Sequence, residues 1–281
     1  MIVTRFAPSP TGLLHLGHAF AAITAHEAGK RFVLRIEDID AARCREEFAQ
    51  AIIEDLQWLE LEWEPQVIRQ SDRADAYQSA LRQLNAAGLI YPCFCTRSEI
   101  AQEIARAVEA PHIDPLAGSL YPGTCRQLGE PEKRDRLASG ASHALRLDAA
   151  KAANQVGPLS FYERGAGPHG EQGEICVSPA LFGDIVLARK NMPAAYHLAV
   201  VVDDAQQGVT LVTRGHDLFA ASHVQRLLQA LLALPAPQYA HHRLILDAAG
   251  KKFSKRDLAV TLQSLRATGQ TPGSIRKTLA L

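Results

Sequence analysis

The chain has no surplus of charge of either sign: 30 Lys and Arg face 30 Asp and Glu, so the formal charge is zero. That excludes a global positive field that would recruit a polyanion, and any nucleic-acid contact must rest on local patches. No charged segment followed by an apolar core stands at the N-terminus, and no apolar run is long enough to cross a bilayer. These absences predict a soluble, cytoplasmic protein. The five cysteines (Cys44, Cys93, Cys95, Cys125, Cys176) are odd in number and scattered, which argues against a disulfide framework. What the chain does have is apolar content, 47% of 281 residues, enough for a full core and room for more than one domain.

The most informative stretch is Arg5-Phe-Ala-Pro-Ser-Pro-Thr-Gly-Leu-Leu-His15-Leu-Gly17-His18. Ile2–Phe6 has the β-branched and aromatic content of a buried strand, and Pro8 and Pro10 cannot continue a ladder. Leu13, Leu16, Phe20 and Ile23 then recur at helical spacing as far as Gly29, and Phe32–Ile36 reads as a second strand. In such a strand–turn–helix–strand unit the ligand sits beyond the carboxyl end of the first strand, against the helix N-terminus. His15 and His18 are three apart in that first turn, so both imidazoles project from one face. Gly17 removes a side chain where a flat base could lie on the backbone.

This stretch resembles the HIGH signature of class I aminoacyl-tRNA synthetases, with Leu16 in place of isoleucine, and Arg-Phe-Ala-Pro-Ser-Pro-Thr-Gly before it resembles the glutamyl branch. The resemblance implies an α/β fold, a Rossmann-type parallel sheet with a small zinc-binding insertion. Far along the chain, Lys252-Phe-Ser-Lys255-Arg256 resembles the KMSKS loop of the same class. On its own, such a cationic loop is most often a solvated turn. The two signatures in order strengthen each other.

Glu37-Asp38-Ile-Asp40 is acidic; Asp38 and Asp40 suit the N-terminal dipole of the next helix, whereas Glu37 directly follows a strand and is expected to point into the cleft. Phe48, Ile52, Leu56 and Leu59 mark one helix, and Tyr77, Leu81 and Leu84 another, opened by Ser71-Asp72 and closed at Gly88. Thr96 with Glu99 is a capping box. Residues Arg126 to Gly173 mix opposite charges with turn signals and read as a solvated face. Asp184–Ala188 and Tyr196–Val202 are expected as strands returning to the central sheet, the second ending at Asp203-Asp204. Val209–Thr213 is a further strand, followed by a helix striped with Leu218, Ala221, Val224, Leu228 and Leu231, and Leu244–Leu246 is a strand before the lysine loop. Taken alone, Tyr196 is a core aromatic and Arg214 a salt-bridge partner of Asp203 or Asp204.

Cys93-Phe-Cys95 places two thiols close together, and Cys125 returns in Tyr121-Pro-Gly-Thr-Cys125. Three such cysteines suggest a structural zinc site needing a fourth donor, which ligand frequency would make His112. The chain also resembles the glutamyl-queuosine tRNA(Asp) synthetases, whose Cys-x-Cys followed by Tyr-x-x-x-Cys implies Tyr121 instead. The same resemblance implies glutamate contacts at Arg5, Ala7, Ser9, Glu37, Tyr196 and Arg214, ATP contacts at His15, Gly17, His18, Lys252 and Lys255, and catalytic roles for His15, His18 and Lys255. ATP with Mg²⁺, L-glutamate and tRNA(Asp) carrying queuosine are the implied partners, and a monomer is the expected state. The expected division is 1–90 for the first half of the catalytic unit, 91–130 for the insertion, 131–235 for the connective region and second half, and 236–281 for the lysine loop and a short helical extension.

A helical anticodon-binding domain needs ~100 residues or more. Residues 257–281 leave no room for one, which favours the queuosine branch over a full glutamyl-tRNA synthetase. Three rivals are a truncated glutamyl-tRNA synthetase charging the 3′ end of tRNA(Glu), a His-x-Gly-His nucleotidyltransferase, and a non-catalytic RNA-binding paralogue.

Overall fold

A computed structural model describes residues 1–96, 98–100, 120–178, 181–245 and 260–281. The chain opens with β1 (Val3–Phe6), every residue of it buried, followed by α1 (Leu16–Ala28) and β2 (Arg31–Ile36). The two strands run parallel, Val3 opposite Arg31 and Phe6 opposite Leu34. Gly29 ends α1 where the helix presses on β1: a Cβ there would come within 2.4 Å of Thr4 Oγ1 and 2.9 Å of the Arg31 carbonyl oxygen. Only glycine permits that approach. Next come α2 (Glu46–Trp58) and β3 (Ile68–Arg69), the latter parallel to β2. Ile23, Leu34, Ile52 and Leu56 have no exposed surface and form the core on this side.

The second half carries β9 (Leu211–Gly215) and β10 (Gln238–His242), parallel and joined through α7 (Phe219–Leu231). β10 pairs in parallel with β6 (Ser160–Glu163), and β6 pairs antiparallel with β7 (Gly173–Cys176). The halves meet between β1 and β9, where the Thr210 N–H donates to the Val3 carbonyl at 3.0 Å and the Val3 N–H donates to Thr210 Oγ1 at 2.9 Å. From β1 the chain winds outward to β2 and β3; from β9 it winds the other way to β10. Strand order therefore reverses at the β1–β9 seam, which is where an open α/β sheet binds its ligand.

A separate antiparallel layer contains β4 (Ile90–Cys93), β5 (Ala144–Leu147) and β8 (Val186–Arg189). The expectation that Asp184–Ala188 returns to the central sheet is therefore wrong. Buried Asp184 accepts hydrogen bonds from Tyr91 Oη, the Arg126 guanidinium and the Ala149 N–H, which tie this segment to the outer layer. Flanking it are α4 (Glu130–Ala138), with no buried residue, and α5 (Ala149–Val156).

Tyr196–Val202 is also corrected: it belongs to a helix, α6 (Tyr196–Gln206). An unbroken apolar run has no period that separates a strand from a buried helix. Here Leu198 through Val201 are enclosed with Tyr77 and Leu84 of α3 (Ala74–Ala86) and Leu227 and Leu228 of α7. Before α3, Ser71-Asp72 lie in a single 3₁₀ turn, Gln70–Arg73. Leu244 and Ile245 are irregular, and Leu246 lies outside the described residues. The strand falls earlier because His241, polar in sequence, is buried against charged partners.

The last helices, α8 (Leu262–Ala267) and α9 (Pro272–Leu279), are each opened by a threonine, Thr261 and Thr271, that accepts a backbone N–H. Leu262, Ile275 and Leu279 pack into the α1–α2 core. The Leu262 N–H donates to the Leu14 carbonyl at 2.8 Å, and Thr261 forms an antiparallel bridge with His15. The segment that returns after residue 259 is thus pinned beside the His-x-Gly-His turn.

Candidate active site at the seam of the two sheet halves

At the N-terminus of α1 the His-x-Gly-His turn is self-supporting. His15 is the N-cap, its Nδ1 accepting the Gly17 N–H at 3.1 Å, while His18 Nδ1 accepts the His15 N–H at 3.2 Å. The rings lie 3.8 Å apart, tilted by 34°. With both Nδ1 atoms acting as acceptors, a neutral ring must carry its proton on Nε2. Each imidazole is thereby set as an Nε2–H donor. Gly17 is confined too, since a Cβ there would sit 3.1 Å from His15 Cε1.

This turn forms one wall of a cleft of about 880 Å³ over the β1–β9 seam. Arg5, Ala7 and Ser9 line it from the end of β1, Glu37 from the end of β2, and Arg214 from β9. Tyr196, at the start of α6, also lines it and is 37% exposed, so it is not the core aromatic that its position alone suggested. Sequence reading missed Asp217, His242 and Arg243, which line the cleft as well; His242 ends β10 and Arg243 follows it, directly before the stretch expected as the strand. Lys252, Lys255 and Arg256 lie outside the described residues, as does His112. The flanks of the lysine stretch are described: Ile245 lines the cleft and Thr261 bridges His15.

Beneath the cleft lies a buried ionic network. Arg5, 6% exposed, donates from Nε to Asp204 Oδ1 at 3.3 Å and from Nη1 to the Thr213 carbonyl at 3.0 Å. Arg35, with no exposed surface, donates to Asp204 Oδ1 at 2.8 Å and to Gln207 Oε1 at 2.7 Å, and lies 3.6 Å from Glu37. Asp203 accepts from Arg73 Nε, Gln70 Nε2 and Tyr77 Oη. Asp203 and Asp204 are therefore occupied within α6 and do not bind Arg214. Burial works against the Arg35 charge, but Asp204, Glu37 and Asp203 together raise its pKa. Burial lifts the Glu37 carboxyl to about 7 against the opposing pull of Arg35 and Arg5. Arg35 could have been noticed in sequence, since a charge inside Phe-Val-Leu-Arg-Ile demands a buried partner.

Arg214, 5% exposed, is held separately: Nε donates to His241 Nε2 at 3.1 Å, Nη1 to Gln225 Oε1 at 2.7 Å and Nη2 to Ser222 Oγ at 2.6 Å. Asp38, expected at a helix dipole, instead accepts from Arg69 Nε and from the backbone N–H and hydroxyl of Ser71, and Asp40 pairs with Arg43.

The cysteine cluster lies away from this cleft, at the end of β4. The sulfurs of Cys93, Cys95 and Cys125 lie within 4.8 Å of one another. The Tyr121 hydroxyl is 3.4 Å from Cys93 Sγ and from Cys95 Sγ, and it accepts the Cys125 N–H at 2.9 Å. Burial pushes the Cys95 thiol up to about 12 and raises the Tyr121 phenol as well. Three thiols crowded at this distance suit a thiophilic cation, which would favour their ionised forms.

A family model described as tRNA synthetases class I (E and Q), catalytic domain, matches residues 1–281. A glutamyl-Q tRNA(Asp) synthetase of Rhodobacter capsulatus is 47% identical, covering 100% of both chains. Another, from Symbiobacterium thermophilum, is 41% identical over 98% of this chain and 84% of its own. Among solved structures, a glutamate tRNA ligase from Elizabethkingia meningosepticum in complex with its amino acid superposes with a TM-score of 0.71 at 28% identity. That match covers 91% of this chain and 52% of the ligase, so the chain spans about half the ligase's length.

Asp204 compensates two buried guanidiniums at once. Asp204→Ala is expected to cost about 3–5 kcal/mol, the scale of an orphaned buried charge, read as a lower urea midpoint with unchanged slope.

Proposed function

Because the chain belongs to the class I aminoacyl-tRNA synthetases of the glutamyl and glutaminyl branch, a ligase family, we propose that it activates L-glutamate with ATP in the seam cleft, without tRNA, and passes the glutamyl group to queuosine in tRNA(Asp). The observation that carries this reading is the pairing, in one cleft, of two buried guanidiniums, Arg5 and Arg214, with two Nε2–H donors, His15 and His18. The acceptor rests on the names of the relatives, glutamyl-Q tRNA(Asp) synthetases that align over nearly the whole chain.

In this reading the α-carboxylate of glutamate attacks the α-phosphorus of ATP. The bond to the bridging oxygen breaks, and pyrophosphate leaves with that electron pair. Negative charge grows on the equatorial oxygens and the leaving group, so positioned donors supply most of the catalysis. His15 and His18 donate to phosphate oxygens at the α1 N-terminus, with Gly17 against the nucleotide. Lys252 and Lys255 act on the departing pyrophosphate, from a segment flanked by Ile245, which lines the cleft, and Thr261, which bridges His15. Arg5 and Arg214 grip carboxylates through forked bonds, Glu37 meets the ammonium, and Ala7, Ser9 and Tyr196 complete the amino-acid pocket. A nucleophile of the queuosine base then attacks the glutamyl carbonyl carbon and AMP departs. Mg²⁺ bound with ATP neutralises phosphate charge and needs few protein ligands of its own. Cys93, Cys95 and Cys125 with Tyr121 would hold one structural Zn²⁺, folding residues 91–130 as an insertion within the catalytic unit.

Three measurements test this. ATP–pyrophosphate exchange without tRNA should proceed with glutamate and not with other amino acids, and label should then reach queuosine-containing tRNA(Asp). Labelling of the tRNA(Glu) 3′ end instead would point to a truncated glutamyl-tRNA synthetase. Since kcat/KM reports the free enzyme, kcat/KM for glutamate should fall as pH drops through about 7, where Glu37 takes up a proton, and Glu37→Gln should abolish that limb. Elemental analysis should find one zinc per chain in the native protein, and its loss in Cys125→Ser; full retention would remove Cys125 as a ligand.

A further inference from the structure

We propose that Glu163 and His241, neither of which lines the cleft, form a relay that positions Arg214 for the amino-acid carboxylate. The proposal rests on the reading that Arg214 grips that carboxylate. Three adjacent parallel strands supply the parts. Arg214 on β9 stands opposite His241 on β10, and Glu163 on β6 stands opposite Tyr239, two residues before His241. The resulting row runs across the sheet from a fully buried carboxylate to a guanidinium at the cleft.

Donor and acceptor roles in this row are fixed by chemistry. An arginine Nε–H can only donate, so His241 Nε2, 3.1 Å away, must offer its lone pair. The ring proton then lies on Nδ1 and is donated to Glu163 Oε2 at 2.6 Å. Glu163 Oε1 accepts two further donors, the N–H groups of His241 and Gly165, each at 2.9 Å. Gly165 is required for that contact: a Cβ would come within 2.5 Å of the His241 carbonyl oxygen and 3.0 Å of Glu163 Oε1. The carboxylate is thus immobile, the ring cannot turn without breaking its bond to Glu163, and the guanidinium inherits a fixed direction.

The surroundings keep His241 in the neutral form the relay needs. Tyr239 stacks parallel to its ring at 6.0 Å and Phe219 meets it edge-on at 5.0 Å. The groups acting electrostatically on it are Glu163, Arg214 and His216, with His223 in the same cluster. Burial lowers the His241 pKa, although Glu163 pulls it upward. Burial also opposes the Glu163 charge, and the ring and backbone N–H groups outweigh it, leaving that carboxyl below the usual range. A protonated ring would confront the Arg214 Nε–H with a second donor.

A buried Glu–His pair that served the core alone would affect stability and nothing else. The relay instead predicts selective damage to the amino-acid site, because a displacement of about 1 Å in a positioning group can lower a rate 100-fold. The test compares His241→Leu, His241→Gln and Glu163→Gln in ATP–pyrophosphate exchange. His241→Leu is expected to raise the KM for glutamate roughly 10- to 100-fold with the KM for ATP within about twofold. His241→Gln, whose Oε1 can accept from Arg214, should recover most of that loss. Independently of activity, the ¹⁵N resonance of the Arg214 Nε–H group, assigned by its disappearance in Arg214→Lys, should show slow solvent exchange that Glu163→Gln accelerates. Unchanged glutamate KM in folded variants, a parallel rise in both KM values, or an Nε–H signal indifferent to Glu163 would each overturn the relay. Should the native chain show no glutamate-dependent exchange, the functional reading fails, while the Nε–H signal still decides the relay.

Discussion

A guanidinium stripped of water must be given carboxylates, and much of this molecule is arranged around that requirement. Arg35 has no exposed surface, so β2 holds its register only where Asp204, Glu37 and Gln207 supply acceptors. Asp203 and Asp204 sit in the last turns of α6, which therefore has to lie against both halves of the sheet at that depth. Asp203 in turn engages Arg73, Gln70 and Tyr77, drawing the start of α3 into the same knot. The cost of desolvating so many charges is large, and it is offset only while every partner is present. What the arrangement secures is geometry.

That geometry serves the cleft. Arg5 shares Asp204 with Arg35, so the guanidinium from β1 is set by the same carboxylate that joins the halves. Arg214, on the other side of the seam, is held by a separate set of partners drawn from β10 and α7. A ligand bridging the seam thus meets one cationic group from each half, neither able to follow it by swinging. The imidazoles are set in the same manner, each Nδ1 tied to a backbone N–H of its own turn. Prearranged donors of this kind need little reorganisation when charge develops.

The parts of this that could be read from sequence are the local ones. β1, α1 and β2 followed from β-branched and aromatic content, turn prolines and helical spacing, and the His-x-Gly-His turn and the Cys93, Cys95 and Cys125 grouping were visible as spacings. Non-local relations escaped. The run at Leu198–Val201 carries no period, so the helix it forms was indistinguishable from a strand until its neighbours were known. Asp184–Ala188 was recognisable as a strand, observed at Val186–Arg189, but nothing local says which sheet it joins. His241 drew no attention in sequence because its partners, Glu163 and Arg214, stand 78 and 27 positions away. Asp203 and Asp204 were correctly suspected of pairing with arginine, and the partner was misassigned for the same reason.

If two immobilised guanidiniums define the cleft, its preference should be for a side chain bearing negative charge, and equilibrium binding is the most direct way to see that. Isothermal titration of the native protein with L-glutamate and with L-glutamine, each in the presence of a non-hydrolysable ATP analogue, compares ligands of nearly equal size that differ in one charge. The account predicts glutamate bound on the order of 100-fold more tightly, because glutamine leaves a buried cation without its counter-charge. Equal affinities for the two would contradict it.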